Sequence, residues 1–359
     1  MHISNRHEIN IPVRKILVIQ LGDIGDVIWA IPTYWALKAA FPKASLSVLV
    51  RNNYGDFLVD DRHIDKIFTV NNESALSSLQ LLRNLRREKF DLLFDLRADE
   101  RGAYISLFSG VKIRAAMYYA GRSWRNKFFT HLVVSPEANK KTSGAAEQSI
   151  RIIRGFGIKE TTSTPQIFVN EKVKEKISDL LSKEKVEKKN GWITVNPFSR
   201  WSYKEWSIDK WRQLALLIWQ IYKMPTIITG SPAERNHADE LMAGSDFPIH
   251  NFAGKTSLRE MAALLQMSRL HIGVDSAAPH IAAAVGTPTI SIYGPSDWRE
   301  WAPICEENKV VLSDMDCVPC RKKGCDGKGS SKCLDTLPVE GVQYAVEKML
   351  EKIMKQSQV

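Results

Sequence analysis

Short apolar runs alternate with longer amphipathic stretches along the first half of the chain. The pattern predicts a strand over Lys15–Gln20 and a helix over Val27–Ala40. Further strands are predicted over Ser45–Val50, Ile67–Val70 and Asp91–Leu96, with a helix over Leu76–Arg87. Strands that alternate with helices are typical of a parallel sheet with helices on both faces. The first half is therefore predicted to form an α/β domain.

The same alternation restarts after a turn-rich segment, Thr161–Pro165, and a charged run, Lys183–Asn190, with a helix over Val173–Leu181 between them. The elements predicted beyond are strand Trp192–Asn196, helix Ile208–Ile221, strand Thr226–Thr229, helix Ala233–Met242, strand Leu270–Val274, helix Ala278–Val285, strand Thr289–Tyr293 and a last helix Val339–Lys355. We expect two tandem α/β domains, residues 1–165 and 166–338, and a closing helix at 339–359. Ligands in such folds bind beyond the carboxyl ends of the strands, and here also between the domains.

The composition is that of a globular protein, with 44% hydrophobic and 25% charged residues in 359. It excludes a wholly disordered, collagen-like or disulfide-dense chain. No apolar stretch approaches the roughly 20 residues that cross a bilayer. The first ten residues are polar and contain no signal-peptide core, so we expect a cytoplasmic protein.

The net charge of +10 is concentrated in the first half of the chain. Residues 1–180 contain 27 Lys or Arg and 19 Asp or Glu, whereas residues 181–359 contain 23 and 21. A basic first half indicates an anionic partner, which could be a nucleic acid, an acidic membrane surface or an acidic substrate. A solvated basic surface that keeps the protein soluble is the alternative, and charge alone does not choose between them.

The first predicted strand runs into the turn Gly22-Asp-Ile-Gly-Asp26. This turn is not the G-x-G-x-x-G pattern, so a dinucleotide-binding fingerprint is absent here. Asp23 or Asp26 could simply cap the following helix. Alternatively, one of them is a general base at the positive end of the helix, facing a substrate.

Two segments of the second half combine groups that suit a phosphate. Ser199, Arg200 and Lys204 follow a predicted strand and offer hydroxyl and cationic donors, although a surface loop anchored by Trp206 would have the same composition. The segment Asp275–His280 begins a helix of small residues, whose free N–H groups attract phosphate oxygens. A lone helical histidine such as His280 is more often a packing residue.

Taken in order, these segments resemble the heptosyltransferase family of lipopolysaccharide synthesis, glycosyltransferase family 9, which has the GT-B fold. The resemblance extends from about residue 14 to 350, and the ordered set is more specific than any one motif. The matching segments are Ile16–Asp26 with Pro32, Arg97–Arg101, Asn196–Trp206, Gly230–Glu234, Asp275–His280 and Tyr293–Pro295. The resemblance implies two Rossmann-like α/β/α domains that face each other across a cleft, with the last helix crossing back onto the first domain.

The resemblance also implies an inverting, metal-independent transfer of a heptose from ADP-heptose to the lipopolysaccharide inner core. Asp26 matches the aspartate that would deprotonate the acceptor hydroxyl. Lys204 matches the lysine near the donor phosphates, and Glu234 matches the acidic residue expected at the nucleoside ribose. The remaining implied donor-binding residues are Ser199, Arg200, Asp275, Ser276, Ala277 and His280.

Inner-core acceptors carry carboxylates and phosphates, so the basic first domain would have an anionic partner. The candidate acceptor-binding residues are Arg97, Arg101, Arg122, Arg125 and Lys127, for which solvated or internally paired cations are the alternative. The implied location is peripheral, on the inner face of the cytoplasmic membrane. No cofactor or catalytic metal is expected.

Two other functions stay open from the residues alone. The same scaffold could use another nucleoside-diphosphate sugar, because the donor contacts recognise phosphate and ribose more securely than the sugar ring. The chain could also bind nucleotide sugars or polyanions without turnover. A nucleic-acid partner is disfavoured, since the sequence has no helix-turn-helix or RNA-recognition signature.

Four of the five cysteines form a cluster, Cys317, Cys320, Cys325 and Cys333, with the spacing C-x2-C-x4-C-x7-C. In a cytosolic protein this spacing is compatible with a structural zinc site. Free thiols or a disulfide are the alternatives, and the resemblance gives the cluster no catalytic role.

Overall fold

The computed structural model of the chain describes residues 1–71, 75–134, 145–303, 305, 307–327 and 329–356. The chain divides into a first unit, Met1–Phe168, and a second unit, Val169–Val359. The division falls three residues after the boundary expected at 165. Each unit has its own parallel sheet connected through helices, which is the predicted α/β architecture.

The first unit is built on a seven-stranded parallel sheet with the order β1-β7-β6-β5-β2-β3-β4. Its strands are β1 (His2–Ser4), β2 (Lys15–Gln20), β3 (Ser45–Arg51), β4 (Lys66–Val70), β5 (Leu92–Asp95), β6 (Ile113–Met117) and β7 (His131–Val133). Its helices are α1 (Ile24–Trp29), α2 (Ile31–Ala40), α3 (Ala75–Glu88), α4 (Glu100–Phe108), α5 (Ser123–Asn126) and α6 (Ala145–Arg154), with short 3-10 helices at Asn52–Leu58 and Ala120–Arg122.

Strand β2 lies in the interior of this sheet, between β3 and β5. Its apolar residues Ile16 to Ile19 are buried, as expected of a parallel strand that is covered on both faces. From β2 the strand order proceeds to β3 and β4 on one side, while β5 and its successors lie on the other. The topological switch point is therefore between β2 and β5, where ligands of such sheets bind.

The helix predicted over Val27–Ala40 is in fact two helices. α1 begins three residues earlier, at Ile24, and ends at Trp29, and α2 begins at Ile31. Pro32 lies in the first turn of α2 and has no N–H for the carbonyl four residues before it. A single continuous helix through this proline would lose a hydrogen bond, so the chain restarts the helix instead.

The second unit is built on a six-stranded parallel sheet with the order β10-β9-β8-β11-β12-β13. Its strands are β8 (Ile193–Asn196), β9 (Thr226–Ile228), β10 (Ile249–Asn251), β11 (Leu270–Val274), β12 (Thr289–Ile292) and β13 (Asn308–Val311). Its helices are α7 (Glu171–Lys183), α8 (Ile208–Tyr222), α9 (Arg235–Met242), α10 (Leu258–Gln266), α11 (Ala277–Ala284), α12 (Trp298–Trp301), α13 (Lys332–Thr336) and α14 (Val339–Gln356), with short 3-10 helices at Ser202–Lys204, Pro232–Glu234 and Cys325–Gly327.

The switch point of the second sheet lies between β8 and β11, because β9 and β10 follow on one side and β12 and β13 on the other. The two segments that the sequence singled out for phosphate, after β8 and after β11, therefore start at neighbouring strand ends.

The last helix, α14, packs against the core of the second unit through Val342, Val346 and Leu350, which are buried. Val339 to Leu350 bury one face of the helix, which explains its amphipathic pattern. The crossing of this helix onto the first domain stays a prediction.

Candidate active site

Asp26 lies in the first turn of α1, just beyond the carboxyl end of β2. Its Oδ2 accepts a hydrogen bond of 2.9 Å from the backbone N–H of Asp23. Gln20 stabilises the same turn through two hydrogen bonds. Its side-chain N–H donates to the Asp26 carbonyl (3.3 Å), and its side-chain oxygen accepts from the Gly22 N–H (3.1 Å). A Cβ on Gly22 would lie 2.3 Å from Asp26 Oδ2, so only glycine leaves room for this carboxylate.

The carboxylate of Asp26 is paired with Arg97, which follows β5 on the other side of the switch point. Arg97 Nη1 lies 2.6 Å from Asp26 Oδ2, and the Asp26 side chain is 29% exposed. Burial raises the pKa of Asp26, and the Arg97 guanidinium opposes that rise. The result is a partly shielded carboxylate that a substrate can still reach, which is a suitable environment for a general base.

A second carboxylate, Asp95, lies behind this pair at the end of β5. It is 1% exposed, and its Oδ1 accepts the backbone N–H groups of Arg97 (3.2 Å) and Ala98 (2.9 Å). Burial raises the pKa of Asp95 to about 7, and Asp99 adds to the rise. The turn that carries Arg97 is therefore held by a buried acid.

Further cations surround the same strand ends. Arg51, the last residue of β3, lies 3.5 Å from Asp23, and Arg101 in α4 donates to the carbonyl of Asn71 (2.9 Å). Burial, and then the nearby Arg51, lower the pKa of Arg101. The predicted acceptor residues Arg97 and Arg101 are thus both joined to this edge of the sheet.

The other predicted acceptor residues lie further along the same unit. The Arg125 guanidinium stands over the ring of Trp124, 5.2 Å from its centre, and Lys127 is exposed. Arg122 ends the 3-10 helix Ala120–Arg122, and its side chain lies outside the described part of the structure.

In the second unit, an ion pair joins the two neighbouring strand ends. Lys204 Nζ lies 2.6 Å from Asp275 Oδ2, with side chains 21% and 11% exposed. The Asp275 carboxylate also interacts with the hydroxyl of Tyr293, which donates to the Trp301 carbonyl (2.9 Å). Burial, and then Asp275, raise the pKa of Tyr293 well above its usual value. The ion pair with Asp275 therefore holds the Lys204 side chain at the switch point.

Two serines connect the same loops. Ser199 Oγ donates to the carbonyl of Asp275 (3.1 Å), and Ser276 Oγ donates to the side-chain oxygen of Asn196 (2.8 Å). Ser276 precedes α11, and Ala277 is its first residue. The N–H groups in the first turn of a helix have no partner within the helix and favour anions. Lys204 and this helix start are the groups that could hold a diphosphate.

His280 is 8% exposed and lies in the same helix. Burial lowers its pKa to about 4, against the opposing effect of Asp275. The imidazole is consequently neutral at pH 7 and adds no positive charge to a phosphate site.

Arg200 is exposed, with its guanidinium 5.8 Å from the centre of the Trp201 ring. Glu234 closes its own 3-10 helix, because Oε2 accepts the Ser231 N–H at 2.6 Å. The carboxylate of Glu205 accepts the Ser199 N–H at 2.8 Å. Burial, and then Glu234, raise the pKa of Glu205, so the two carboxylates are neighbours.

The cysteine segment, residues 317–333, is hydrogen-bonded to the loop after β8. Ser202 Oγ donates to the Gly329 carbonyl (2.8 Å), and Ser331 Oγ donates to the Tyr203 carbonyl (2.6 Å). The five cysteines are free thiols, and Cys333 is buried. Among the described residues, no three His, Cys, Asp or Glu side chains converge closely enough to hold a metal ion. The zinc, free-thiol and disulfide alternatives for this cluster stay predictions.

Five residues of these sites were missed as functional candidates in the sequence: Gln20, Arg51, Asp95, Asn196 and Glu205. Gln20 ends a predicted strand, Arg51 follows one, and Asp95 lies one residue before the end of another. Asn196 ends a predicted strand too, and it stands with Glu205 inside a quoted motif. Position at a strand end was the available signal, and the rule that ligands bind there could have selected them.

Two α/β units, each built on its own parallel sheet, are the architecture of the GT-B fold, which the chain shares with solved glycosyltransferase structures. The model of glycosyltransferase family 9 (heptosyltransferase) matches residues 78–330, and the chain belongs to this family. The predicted family, fold class and enzyme class are thereby confirmed.

One curated relative and two solved structures illustrate the similarity. The chain is 28% identical over 344 residues to lipopolysaccharide heptosyltransferase 3 of Escherichia coli (strain K12), covering 91% of this chain and 95% of that protein. A glycosyl transferase of family 9 from Veillonella parvula has a TM-score of 0.81 at 21% identity, covering 94% of this chain and 97% of that one. The E. coli ADP-heptose lps heptosyltransferase II has a TM-score of 0.78 at 20% identity, covering 96% and 100%.

Proposed function

We propose that this glycosyltransferase transfers a heptose from ADP-heptose to the inner core of lipopolysaccharide, with inversion and without a metal. The observation that carries the proposal is the partly exposed Asp26 carboxylate at a switch point, in a chain of the heptosyltransferase family. The relatives named above act, by their names, on lipopolysaccharide and ADP-heptose.

In this mechanism Asp26 removes the proton from the acceptor hydroxyl as that oxygen attacks the anomeric carbon. A sugar hydroxyl is a weak nucleophile, so a carboxylate within hydrogen-bond reach lowers the barrier as the bond forms. Arg97 keeps Asp26 ionised and oriented. Attack on the face opposite the leaving group gives an inverted product.

On the donor side, the leaving diphosphate gains negative charge as the glycosidic bond breaks. Lys204 and the N–H groups at the start of α11 would stabilise that charge. Arg200, in the donor-binding loop, is assigned to the diphosphate, and Glu234 to the ribose, as the family resemblance implies. His280, which is neutral, would contribute shape and not charge.

We further propose that the protein works in the cytoplasm at the inner face of the cytoplasmic membrane, where a lipid-anchored acceptor lies. None of the described helices is long and apolar enough to cross a bilayer. The first unit exposes an aromatic patch, which we define as Tyr104, Phe108, Trp124 and Phe128. Tyr104 and Trp124 are each 42% exposed, and their rings contact each other and Phe128.

Cations adjoin the aromatic patch: Arg86 donates to the Phe108 carbonyl, Arg114 donates to the Phe128 carbonyl, and Arg125 stands over Trp124. Residues 97–128 contain seven Lys or Arg and two Asp or Glu. Exposed aromatic rings among cations suit the interface of an anionic bilayer. Helix α4 carries Tyr104 and Phe108 of this patch as well as Arg101, so the bilayer surface and the proposed acceptor site would be adjacent.

The test is release of ADP from ADP-heptose in the presence of a truncated lipopolysaccharide acceptor. The wild type should release ADP only with acceptor, and equally well in EDTA. Asp26→Asn should lower kcat by roughly 10²- to 10⁴-fold while donor affinity, measured by calorimetry, is unchanged.

Asp65→Asn is the matched control for this test. The Asp65 carboxylate likewise pairs with a cation, Lys38 (2.9 Å), and accepts a backbone N–H, from Leu46 (2.7 Å), but at the amino end of β3. It should keep wild-type kcat. Turnover only with another nucleoside-diphosphate sugar would replace the donor assignment, and donor binding without any turnover would contradict an enzymatic role.

A further inference from the structure

The turn that carries Arg97 is held by one buried carboxylate. Asp95 ends β5, and its Oδ1 accepts two consecutive backbone N–H groups, from Arg97 and Ala98. Its Oδ2 lies 3.5 Å from the Ser106 hydroxyl of α4. A buried carboxylate without such donors would be strongly disfavoured, so these contacts are a condition of its burial.

The backbone conformation of this turn is unfavourable and requires stabilising contacts. Ala98 has a φ of +48°, in the left-handed region that residues with a Cβ rarely adopt. Helix α4 closes over the carboxylate, since a Cβ on Gly102 would lie 2.4 Å from Asp95 Oδ2. Asp99 caps the same helix by accepting the Gly102 N–H at 2.8 Å. The carboxylate is thereby sealed from water between β5 and α4.

The side chain that leaves this turn is the one that reaches Asp26. Arg97 Nη1 lies 2.6 Å from Asp26 Oδ2, and Arg97 Nε lies 3.9 Å from Asp99. Its side chain is 43% exposed, so little packing fixes it apart from these carboxylates and its own backbone. The backbone of Arg97 is therefore what determines where the guanidinium lies.

We propose that Asp95 is a positioning residue of the transfer reaction, whose carboxylate fixes the turn so that Arg97 stays on Asp26. The inference rests on the proposed role of Asp26 as the base. Asp95 touches neither substrate; it acts through the Arg97 turn on the orientation and ionisation of Asp26.

The charge of Asp95 makes this arrangement sensitive to pH. Burial raises the pKa of Asp95 to about 7, and the charged groups around it are Asp99 on α4, Arg97 on the turn and, through Arg97, Asp26 on α1. Protonation weakens the acceptance of the two N–H bonds and so loosens Arg97. As the pH falls through about 7, Asp95 becomes protonated and the rate should fall.

The first experiment compares wild type with Asp95→Asn in the ADP-release assay from pH 5 to 9. The amide has nearly the same shape but is neutral at every pH. We expect kcat to fall roughly ten- to a hundredfold at pH 8, as for a misplaced catalytic group. The donor KM should be unchanged, and the inflection near pH 7 should be absent.

Asp91→Asn is the matched control, because Asp91 also accepts two consecutive backbone N–H groups, from Arg14 (2.7 Å) and Lys15 (2.9 Å). It lies before β5, at the opposite end of that strand from Asp95. This variant should keep the wild-type kcat and pH profile. An equal loss in both variants would show a general effect on stability and would overturn the proposal.

A double-mutant cycle with Arg97→Ala tests whether Asp95 acts through Arg97. If it does, Asp95→Asn should change kcat little further in the Arg97→Ala background, whereas independent, multiplying losses would contradict the proposal. If Asp95→Asn does not fold, the pH profile of Arg97→Ala tests the proposal instead. The inflection of kcat near pH 7 should be absent from this variant, and an inflection that persists would contradict the action of Asp95 through Arg97.

These results can be separated from failure of the proposed function. If wild type transfers no sugar to any acceptor, the proposed function is wrong, and the role of Asp26 with it. If wild type is active and Asp26→Asn is not, but Asp95→Asn behaves like Asp91→Asn, only the positioning role is wrong.

Discussion

At the scale of single residues, one carboxylate is placed for both roles that the sequence presents as alternatives, the helix cap and the proposed general base. Asp26 accepts the N–H of Asp23 and so helps to cap α1, and it also faces the Arg97 guanidinium. A carboxylate in the first turn is stabilised by the helix dipole whichever use is made of it. Capping therefore supplies part of the orientation that a base requires.

Gly22→Ala should separate orientation of the base from its chemistry. The added Cβ would lie 2.3 Å from Asp26 Oδ2, so the carboxylate must move away from the turn. We expect kcat to fall by about a hundredfold or more, with a loss of about 1–3 kcal/mol in the free energy of unfolding. Steady-state kinetics and urea unfolding measure both effects.

The control for this substitution is Gly341→Ala, in α14. A Cβ there meets nothing within 4 Å, and alanine favours a helix interior by about 0.5–1 kcal/mol. This variant should keep kcat and be as stable as wild type or more so. Unchanged activity in Gly22→Ala would contradict the assignment of Asp26.

At the scale of elements, strand ends decide which polar residues become neighbours. β2 and β5 bring Asp26 to Arg97, and β8 and β11 bring Lys204 to Asp275. The sequence separation within each pair is large: 71 residues for the first. Both pairs lie at switch points, where adjacent loops diverge and leave space for a ligand.

The aromatic patch on α4 and α5 should govern binding to anionic vesicles. Replacing Tyr104 and Trp124 together by serine should weaken binding to phosphatidylglycerol vesicles about tenfold, because interfacial aromatic rings contribute on the order of 1 kcal/mol or more in total. Vesicle co-sedimentation measures this, and binding should also fall as salt is raised.

The control for the aromatic patch is Tyr344→Ser. Tyr344 is also an exposed aromatic residue beside a cation, with Lys348 Nζ 5.6 Å from its ring centre, but it lies on α14. It should leave vesicle binding unchanged. Equal vesicle binding by the patch variant and wild type would contradict a role of the patch in membrane binding. Transfer to a soluble acceptor should be unaffected in the patch variant and in Tyr344→Ser.

At the scale of the whole molecule, the two units place their buried titratable groups differently. The second unit buries two histidines, His271 and His280, whose pKa values are lowered by burial to about 3 and about 4. In the first unit, His131 has its pKa lowered to about 4, but the raised pKa of Asp95 acts in the opposite direction. Through these groups, a lower pH should therefore reduce the stability of the second unit more than that of the first.

Stability falls in acid because the unfolded chain binds protons at these histidines more readily than the folded chain does. A histidine with a depressed folded pKa binds a proton more readily when unfolded, so stability is lost as the pH falls below about 6.5 toward the folded value. Between pH 7 and 5 this amounts to about 2 kcal/mol for one fully buried histidine. His271→Asn should be less stable than wild type at pH 7 but should lose about that much less on going to pH 5.

Urea unfolding at the two pH values, followed by tryptophan fluorescence, measures the difference. His237→Asn is the control, because His237 is an exposed histidine of the same unit. It should show the wild-type pH dependence. The same pH dependence in His271→Asn as in wild type would contradict a neutral buried imidazole at this position.

Local patterns of apolar and polar residues were sufficient to predict the alternation of strands and helices, and with it the α/β class. Buried parallel strands such as Thr226–Ile228 are continuous apolar or β-branched runs, and their helices carry one apolar face, so both patterns are local. The ordered motifs were also enough to indicate the family. Asp26, Lys204 and Asp275 could be selected as candidates because each follows a predicted strand.

Which of these residues come into contact could not be predicted from local patterns and depends on the assembled sheets. The pairing of Asp26 with Arg97 depends on the order of strands in the sheet, and that order is set by packing between segments far apart in the chain. The buried Asp95 and the neutral His280 were equally beyond the sequence, because a pKa depends on desolvation and on neighbours brought close by the fold. The sequence specifies elements through local periodicity, whereas the chemistry of the site arises from contacts that exist only after the sheets assemble.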